Sequence, residues 1–469
     1  MSGDPKTYAN AWVVTMDDAG TEHECGWIRI ENGLIAEIGG GDAPAGAEDL
    51  RGAIVTPGLV NTHHHLYQTL TRARAQQADL FTWLKTLYPT WSRIDDEMLY
   101  AAARTGLAEL ALSGCTTVFD HHYVFPRGVS GLVEAEVRAA QELGVRIVAA
   151  RGSMDLGESD GGLPPDSLVE DLDTILADTE RLAASADGAV VQIVVAPCSP
   201  FSVTTRLMEE SAALARKLGL QLHTHLAETV EEHAYCRELF DCTPVEYLER
   251  VGWIAGDVWC AHCVHLSDGD IESFGREGVG VAHCPSSNLR LGAGIAPVRE
   301  LLNAGVRVGL GVDGSASNER SDLFVEVKNA LLVARGRGGP GAMTARDALR
   351  LGTRGGAEVL RRHDIGSIEP GRRADLRSGG RTGSSSAAPK TSSRTWSSPA
   401  LTGSTACSSA VSTSCARARS SMPTSRRSRA STANRRRGYG RDDRFHPCAR
   451  HRARRPGRRR ARRALQRRR

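Results

Sequence analysis

The sequence predicts an α/β fold, a (β/α)8 barrel of the TIM type with a small β-rich companion, and three observations carry that prediction. Between residues 57 and 364, eight apolar runs rich in Val, Ile and Ala alternate with helical stretches. Runs of that kind fit parallel strands buried on both faces, and eight strand-then-helix units fit a closed barrel. Histidines and acids collect at the C-terminal ends of the runs, where such barrels carry their sites.

Taken in order, residues 1–56 alternate apolar and polar side chains around Gly-rich turns (YANAWVVTMDD, GWIRIENGLIAEIGGG). That pattern predicts short antiparallel strands in a small sheet. The barrel runs are AIVTPGLVNTHHH, CTTVFDHHY, VRIVAARGSMD, AVVQIVVAPCSP, LQLHTHLAE, VWCAHCVHL, GVGVAHCPSS and VRVGLGVDGS. Among the intervening helices, EMLYAAARTGLAELALSG and TTRLMEESAALARKLGL repeat apolar residues at helical spacing and stop at Gly114 and Gly219. From Arg377 to residue 469 the text is dominated by Ser, Arg, Ala and Thr, with almost no large apolar residues. It cannot bury a core and is expected to be disordered.

Of 469 residues, 41% are hydrophobic and 24% charged, which suits one large domain with a small companion. No N-terminal stretch joins a basic start to an apolar segment, and no run approaches the roughly 18 apolar residues of a membrane span. A cytoplasmic location without membrane contact is the expectation. Eight of the eleven cysteines precede residue 376, without the dense spacing of a small secreted scaffold, so reduced thiols are expected. The net charge of +4 conceals a division: residues 377–469 hold 25 Arg and one Lys against two Asp, so the preceding body carries −20. A basic tail suits nucleic acid, an acidic body does not.

His63 and His65 are two apart at a strand end, so both side chains share a face and can hold one ion at about 2.0–2.1 Å, while His64 faces away. His225 ends another strand with Glu228 just beyond. His223 shares its face, but His225 is nearer the mouth and is favoured as ligand, with His223 packed below or behind it. His262 and His265 follow VWCA, and His262 is the nearer to its strand. Cys260 and Cys263 have knuckle-like spacing, yet alternation sends their sulfurs to opposite faces and no second CxxC exists. Asp313 follows the apolar VRVGLGV, where a carboxylate is costly unless it binds a metal or is strongly hydrogen-bonded, and capping the next helix is an equal alternative. Jointly these strand ends supply three nitrogens, a carboxylate and a spare acid or base.

At these residues the chain resembles the amidohydrolase superfamily, in its single-metal aminohydrolase branch. The resemblance implies His63, His65, His225 and Asp313 as ligands of one divalent ion, Zn2+ first and Fe2+ second. It implies Glu228 and His262 as the catalytic pair, with Asp313 accepting a proton from water. A finer resemblance, to 8-oxoguanine deaminases and hydroxyatrazine hydrolases, runs through NTHHHLYQTLTRA, FTWLKTLYPTW, TTVFDHHYVFP, APCSPFSVT, HLAET, AHCPSSNLRLGAGIAPV and GLGVDGSASN. Cys198 stands where adenosine-type relatives have a His, which argues against a nucleoside. Gln68, Trp83 and Tyr123 are candidate contacts to a flat heterocycle, as are Ser199 and Asn288, with packing or turn formation as the plain alternative. The implied reaction is deamination of a purine base, 8-oxoguanine to urate and ammonia, with s-triazine N-alkylamine hydrolysis and guanine deamination next. An inactive product, or a nucleic-acid-binding protein acting through the tail, is the alternative of another class, and a homo-oligomer is allowed.

The resemblance also implies that residues 1–56 and 365–376 together begin one small β-sandwich, which family members complete with further hydrophobic strands. Here the Arg/Ser/Ala-rich text begins instead, of the kind produced when GC-rich coding DNA is read out of frame. A genuine nucleic-acid arm is less favoured, since the tail has one Trp, one Tyr and one Phe for stacking. We infer a frameshift near codon 376, in the gene or its reported sequence. Resequencing that region is expected to reveal an alternative frame with alternating hydrophobic strands, and a frame without them contradicts the reading.

Overall fold

The computed structural model describes residues 5–380 and the strand Arg394–Trp396. The N-terminal alternation produces β1 (Lys6–Val14), β2 (Glu22–Glu31), β3 (Leu34–Gly40) and β4 (Glu48–Pro57). Tyr8, Ala11 and Val13 are buried in β1, and the change of phase between Tyr8 and Ala11 falls at a bulge where Asn10 takes φ 53°. The β1/β2 and β2/β3 pairs are antiparallel, but β4 runs parallel to β1. This corrects the all-antiparallel expectation. The chain leaves β3, crosses back to the free edge of β1, and enters there in the direction that leads straight into the barrel.

The barrel is closed and all-parallel, its strands in chain order: β5 (Leu59–Asn61), β6 (Cys115–His122), β7 (Arg146–Ser153), β8 (Val191–Pro197), β9 (Leu222–Leu226), β10 (Val258–His262), β11 (Gly280–His283) and β12 (Arg307–Leu310). Leu310 against Asn61 closes the ring. All eight expected runs become strands, although the first divides at Gly58, with AIVTP in β4 and LVN in β5. Val60, Phe119, Val148, Ala150, Val194 and Trp259 fill the lumen, and Ala357, Val359, Leu360 and Ile365 join them at the N-terminal ends of the strands. Their alternate neighbours Val118, Ile147, Ala149, Ile193 and Val195 pack outward in the larger core. Burial on both faces is why these runs are continuously apolar.

The helices begin and end on local signals. Asp95 accepts the Met98 amide at the start of Asp96–Ser113, and Gly114 at φ 101° ends it. Thr204 caps Thr205–Leu218, and Gly219 closes it at φ 69°. Among the described residues no helix is long and apolar enough to cross a membrane.

After the barrel the chain returns to the small sheet as β13 (Leu376–Gly379), antiparallel to β4, with β14 (Arg394–Trp396) antiparallel to β13. The order is β14, β13, β4, β1, β2, β3. Among the described residues the companion of the barrel is this one six-stranded sheet. Ile368 and Ala374, from the irregular return segment, gather with Ala11, Val13, Ile28, Ile35 and Val55 and form the covering layer. Strand pairing also runs three residues past Leu376, which corrects the expectation that the tail starts at Arg377. The Arg377 Nε donates to the Ser113 carbonyl at 3.2 Å, and its guanidinium lies 3.8 Å from the centre of the Phe324 ring. Residues 381–393 and 397–469, with the expected disorder and frameshift, lie outside the described residues.

Arg146 at the start of β7 forms an ion pair with Asp375 just before β13, with 5% and 3% of their surfaces exposed. Removing one partner of a buried pair leaves an uncompensated charge, at a cost of about 3–5 kcal/mol. Asp375→Ala is therefore expected to lower the unfolding free energy from urea titration by an amount in that range, with a lower midpoint. An unchanged midpoint contradicts a structural role for the pair.

Candidate metal centre and active site

Strand ends bring His63, His65, His225 and Asp313 together at the C-terminal mouth. The His65 Nδ1 donates to the His121 carbonyl at 2.7 Å, and the His225 Nδ1 donates to the Cys198 carbonyl at 2.7 Å. A carbonyl only accepts, so both rings are Nδ1–H tautomers with a lone pair on Nε2. His63 is fixed in two steps. The His223 Nδ1 donates to the Trp259 carbonyl at 2.9 Å, so its Nε2 accepts from the His63 Nδ1 at 3.0 Å. That leaves the His63 Nε2 buried with a lone pair and no partner.

The lone pairs converge. The His65 and His225 Nε2 atoms are 3.1 Å apart, too close for two acceptors without a cation between them. The Asp313 Oδ1 lies 3.4 Å from the His65 Nε2 and 3.6 Å from the His63 Nε2. Tetrahedral ligands at 2.0–2.1 Å from zinc stand about 3.3 Å from one another, so these three separations suit ligands of such an ion. Burial is the main force holding His65 down at about 4 and His63 and His225 well below the usual imidazole range, and neighbouring rings reinforce it. Neutral imidazoles are what a metal requires. Burial alone would raise Asp313, but His65, His262 and the Ser287 hydroxyl outweigh it and keep the carboxylate ionised.

Glu228 and His262 face each other across this centre, with the His262 Nε2 3.7 Å from the Glu228 Oε2. Desolvation is the chief cause raising Glu228 to about 7, which poises it to gain and lose a proton near neutrality. For His262 burial pulls downward, but Glu228 and Asp313 pull harder upward and the net shift is up. The pocket is lined by Gln68, Trp83, Tyr123 and Ser199, together with Leu84 and Phe201. Asn288 does not line it. Its Oδ1 accepts from the His262 Nδ1 at 2.8 Å, because the short helix Pro285–Arg290 aims it at that ring. Gln68 sits against Gly314, at a position where any Cβ would collide with its amide.

His223 lies behind His63, and the His265 Nε2 donates to the Ala293 carbonyl at 2.9 Å, away from the centre. Among the described residues, no grouping that could hold a metal includes Cys260 or Cys263. Asp313 does not cap the next helix through its side chain, which spans Oδ1 to Gly314 N at 2.7 Å and Oδ2 to Ser287 Oγ at 2.5 Å. Sequence reasoning overlooked His121, whose ring is grouped with His63, His65 and His225. Period-two alternation from Phe119 would have placed it inward. It also overlooked Glu232, which accepts the amides of Ala227 and Glu228 at 2.9 and 3.0 Å and holds the loop that carries the acid.

Two alanine variants separate ligand from support. His225→Ala is expected to abolish tight zinc binding, whereas His223→Ala weakens it about 10–100-fold, the usual cost of losing a partner that orients a ligand. Equal retention of zinc by His225→Ala and the unaltered protein contradicts this geometry.

The amidohydrolase family model matches residues 54–378. An 8-oxoguanine deaminase of Pseudomonas aeruginosa is 49% identical over 362 residues, covering 75% of this chain and 81% of that protein. A hydroxydechloroatrazine ethylaminohydrolase of Pseudomonas sp. (strain ADP) is 38% identical over 389 residues, covering 78% and 80%. Among solved structures, atrazine chlorohydrolase TrzN from Arthrobacter aurescens TC1, complexed with zinc, superposes with a TM-score of 0.77 at 34% identity, covering 80% of this chain and 87% of that one. In its sequence, its barrel and its convergent His/Asp cluster, the chain belongs to the amidohydrolase family.

Proposed function

We propose that this chain is a metal-dependent aminohydrolase acting on a purine base, 8-oxoguanine first, to give urate and ammonia. One observation carries the reading: a carboxyl poised at about 7, Glu228, faces the same pocket as His65, His225 and Asp313. The 49% identity to a deaminase of that substrate supports it. So does Cys198, which lines the pocket at the position where adenosine-type relatives carry a histidine.

His63, His65, His225 and Asp313 would hold the ion, and three imidazoles with a carboxylate suit Zn2+ and also Fe2+. When bound, the ion supplies Lewis acidity that makes water nucleophilic near neutral pH. The chain's own residues move the protons. Glu228 donates to the ring nitrogen beside the amine-bearing carbon, which makes that carbon electrophilic. Asp313 takes a proton from the attacking water, and His262, braced by Asn288, orients that water. The carbon–oxygen bond forms, Asp313 passes its proton to the amine, and the carbon–nitrogen bond breaks to release ammonia. The remaining hydroxyl proton returns to Glu228. Gln68 and Ser199 supply polar contacts to the ring edge, while Trp83 and Tyr123 wall its faces.

Hydrolysis of an N-alkylamine from a hydroxylated s-triazine is the second reading, since it attacks the same kind of carbon and a relative of that activity is 38% identical. The eight described cysteines are unpaired, which supports a reducing, cytoplasmic setting.

Ammonia release from 8-oxoguanine, guanine and hydroxyatrazine by zinc-loaded protein tests the assignment, with the fastest turnover expected on 8-oxoguanine. Glu228→Gln is expected to lower kcat about 10²–10⁴-fold, the usual contribution of a positioned acid. Preference for the triazine selects the second reading, and full activity of Glu228→Gln removes the proton donor from the mechanism.

A further inference from the structure

Alternation along β6 sends Phe119 and His121 into the barrel and Asp120 and His122 outward, under the helix Leu132–Leu143, where Glu136 meets them. All three outward groups are 0% exposed. The layer they occupy also holds apolar residues such as Val118, Leu132, Val133, Ala139 and Ala140. Three ionisable side chains in such a layer need partners.

The protein supplies few. The Asp120 Oδ1 accepts the Leu66 amide at 2.6 Å. The Asp120 Oδ2, both Glu136 oxygens and the His122 Nδ1 have no hydrogen-bond partner, although the His122 Nδ1 lies 3.3 Å from the Glu136 Oε1. The His64 Nδ1, 3.9 Å from the Asp120 Oδ1, is also unpartnered. Arg151, the nearby cation, is committed to Glu170 and Asp178. One proton shared between Asp120 and Glu136, with the His122 Nδ1–H turned to the Glu136 Oε1, is the arrangement that holds the cluster without an ion. A dication answers all three groups, because it balances two carboxylates and accepts the lone pair of a neutral ring. One ligand atom from each residue falls within 4.8 Å of the others, close enough to converge on a single ion.

We propose that Asp120, His122 and Glu136 form a second metal site, buried and structural, that takes a first-row divalent cation such as Zn2+. One imidazole and two carboxylates are ligands of that class. Burial is the largest cause pushing Glu136 up to about 8 and holding His122 down at about 4, so without the ion Glu136 holds a proton while the ring stands neutral and ready to ligate. The ion would tie β6 to the helix Leu132–Leu143. Through the Asp120 contact to Leu66 and the His121 carbonyl on the His65 Nδ1, it would brace the turn that carries His63 and His65. Full burial means that it enters as the chain folds.

Zinc counted by plasma mass spectrometry, on full-length protein produced in zinc-supplemented medium, tests the site. Two equivalents per chain are expected. Dialysis against dipicolinate is expected to remove the one at the open pocket and leave the other. Glu136→Gln is expected to carry one equivalent before dialysis and none after it. A single equivalent in the unaltered protein, removed completely by the chelator, overturns the proposal, as does retention of both by Glu136→Gln. Should that variant not fold, crystals of the unaltered zinc-loaded protein measured at the zinc edge decide. An anomalous peak between Asp120 and Glu136 is expected, and a peak at the His65/His225 centre without one there overturns the site.

Discussion

Hydrogen bonds from imidazole Nδ1 groups to the carbonyls of His121, Cys198 and Trp259 are the constraint on which the centre depends. Each contributes about 0.5–1.5 kcal/mol net, which is modest for a fold of this size. Their importance lies in selection. With the opposite tautomer, a ring would present an N–H where a lone pair is needed, and no adjustment of distance would restore a ligand. The carbonyls belong to neighbouring barrel strands or the loops that follow them, so closure of the barrel fixes the protonation pattern of the site. Crowding the Nε2 lone pairs of His65 and His225 to 3.1 Å opposes folding, and a bound cation reverses the sign of that interaction. A ligand that binds only the folded chain then adds stability, about 2.7 kcal/mol at one hundred times its Kd.

Strained backbone also occurs at the same mouth. Ala227, His262, Cys263 and Asp313 adopt φ of 49°, 71°, 49° and 61°, a region that non-glycine residues seldom enter, at the ends of β9, β10 and β12. Such conformations cost on the order of 1–3 kcal/mol each and persist where surrounding bonds over-determine them. Those bonds are visible: the Asp313 amide donates to the His63 carbonyl, the Cys263 amide to the Leu226 carbonyl, and the Val264 and His265 amides to the Ala227 carbonyl. Glu232 adds two contacts from its side chain. The left-handed turns redirect the chain at each strand end, so that His262 and Asp313 reach the centre from different strands.

Much of this was legible in the sequence because the barrel writes itself as eight continuous apolar runs and the candidate ligands end those runs. The convergence of His63, His65, His225 and Asp313 follows from strand alternation and a common end of the barrel. Other features have no signature in a single sequence. The support given by Trp259, Cys198 and His121 comes from main-chain carbonyls, which any residue offers. Asn288 looked like a pocket residue because it follows a strand, and only the direction of a short helix turns it onto His262. The parallel β4 and the strand through Gly379 depend on long-range pairing that local alternation does not encode. Arg377 resembles the first residue of a polar tail, yet its stem packs beside the end of the helix Asp96–Ser113. His122 and Asp120 sit in a run otherwise spent on the barrel, and their partner Glu136 is a helix residue like many others until the two elements meet.

The account stands on the protonation pattern, which is observable without turnover. Long-range proton–nitrogen correlation spectra of metal-free protein labelled with 15N-histidine, recorded at pH 7, should show His63, His65 and His225 as neutral Nδ1–H tautomers. On zinc addition, their Nε2 resonances should shift while the Nδ1 protons remain. Nε2–H tautomers or imidazolium forms at these three positions would contradict it.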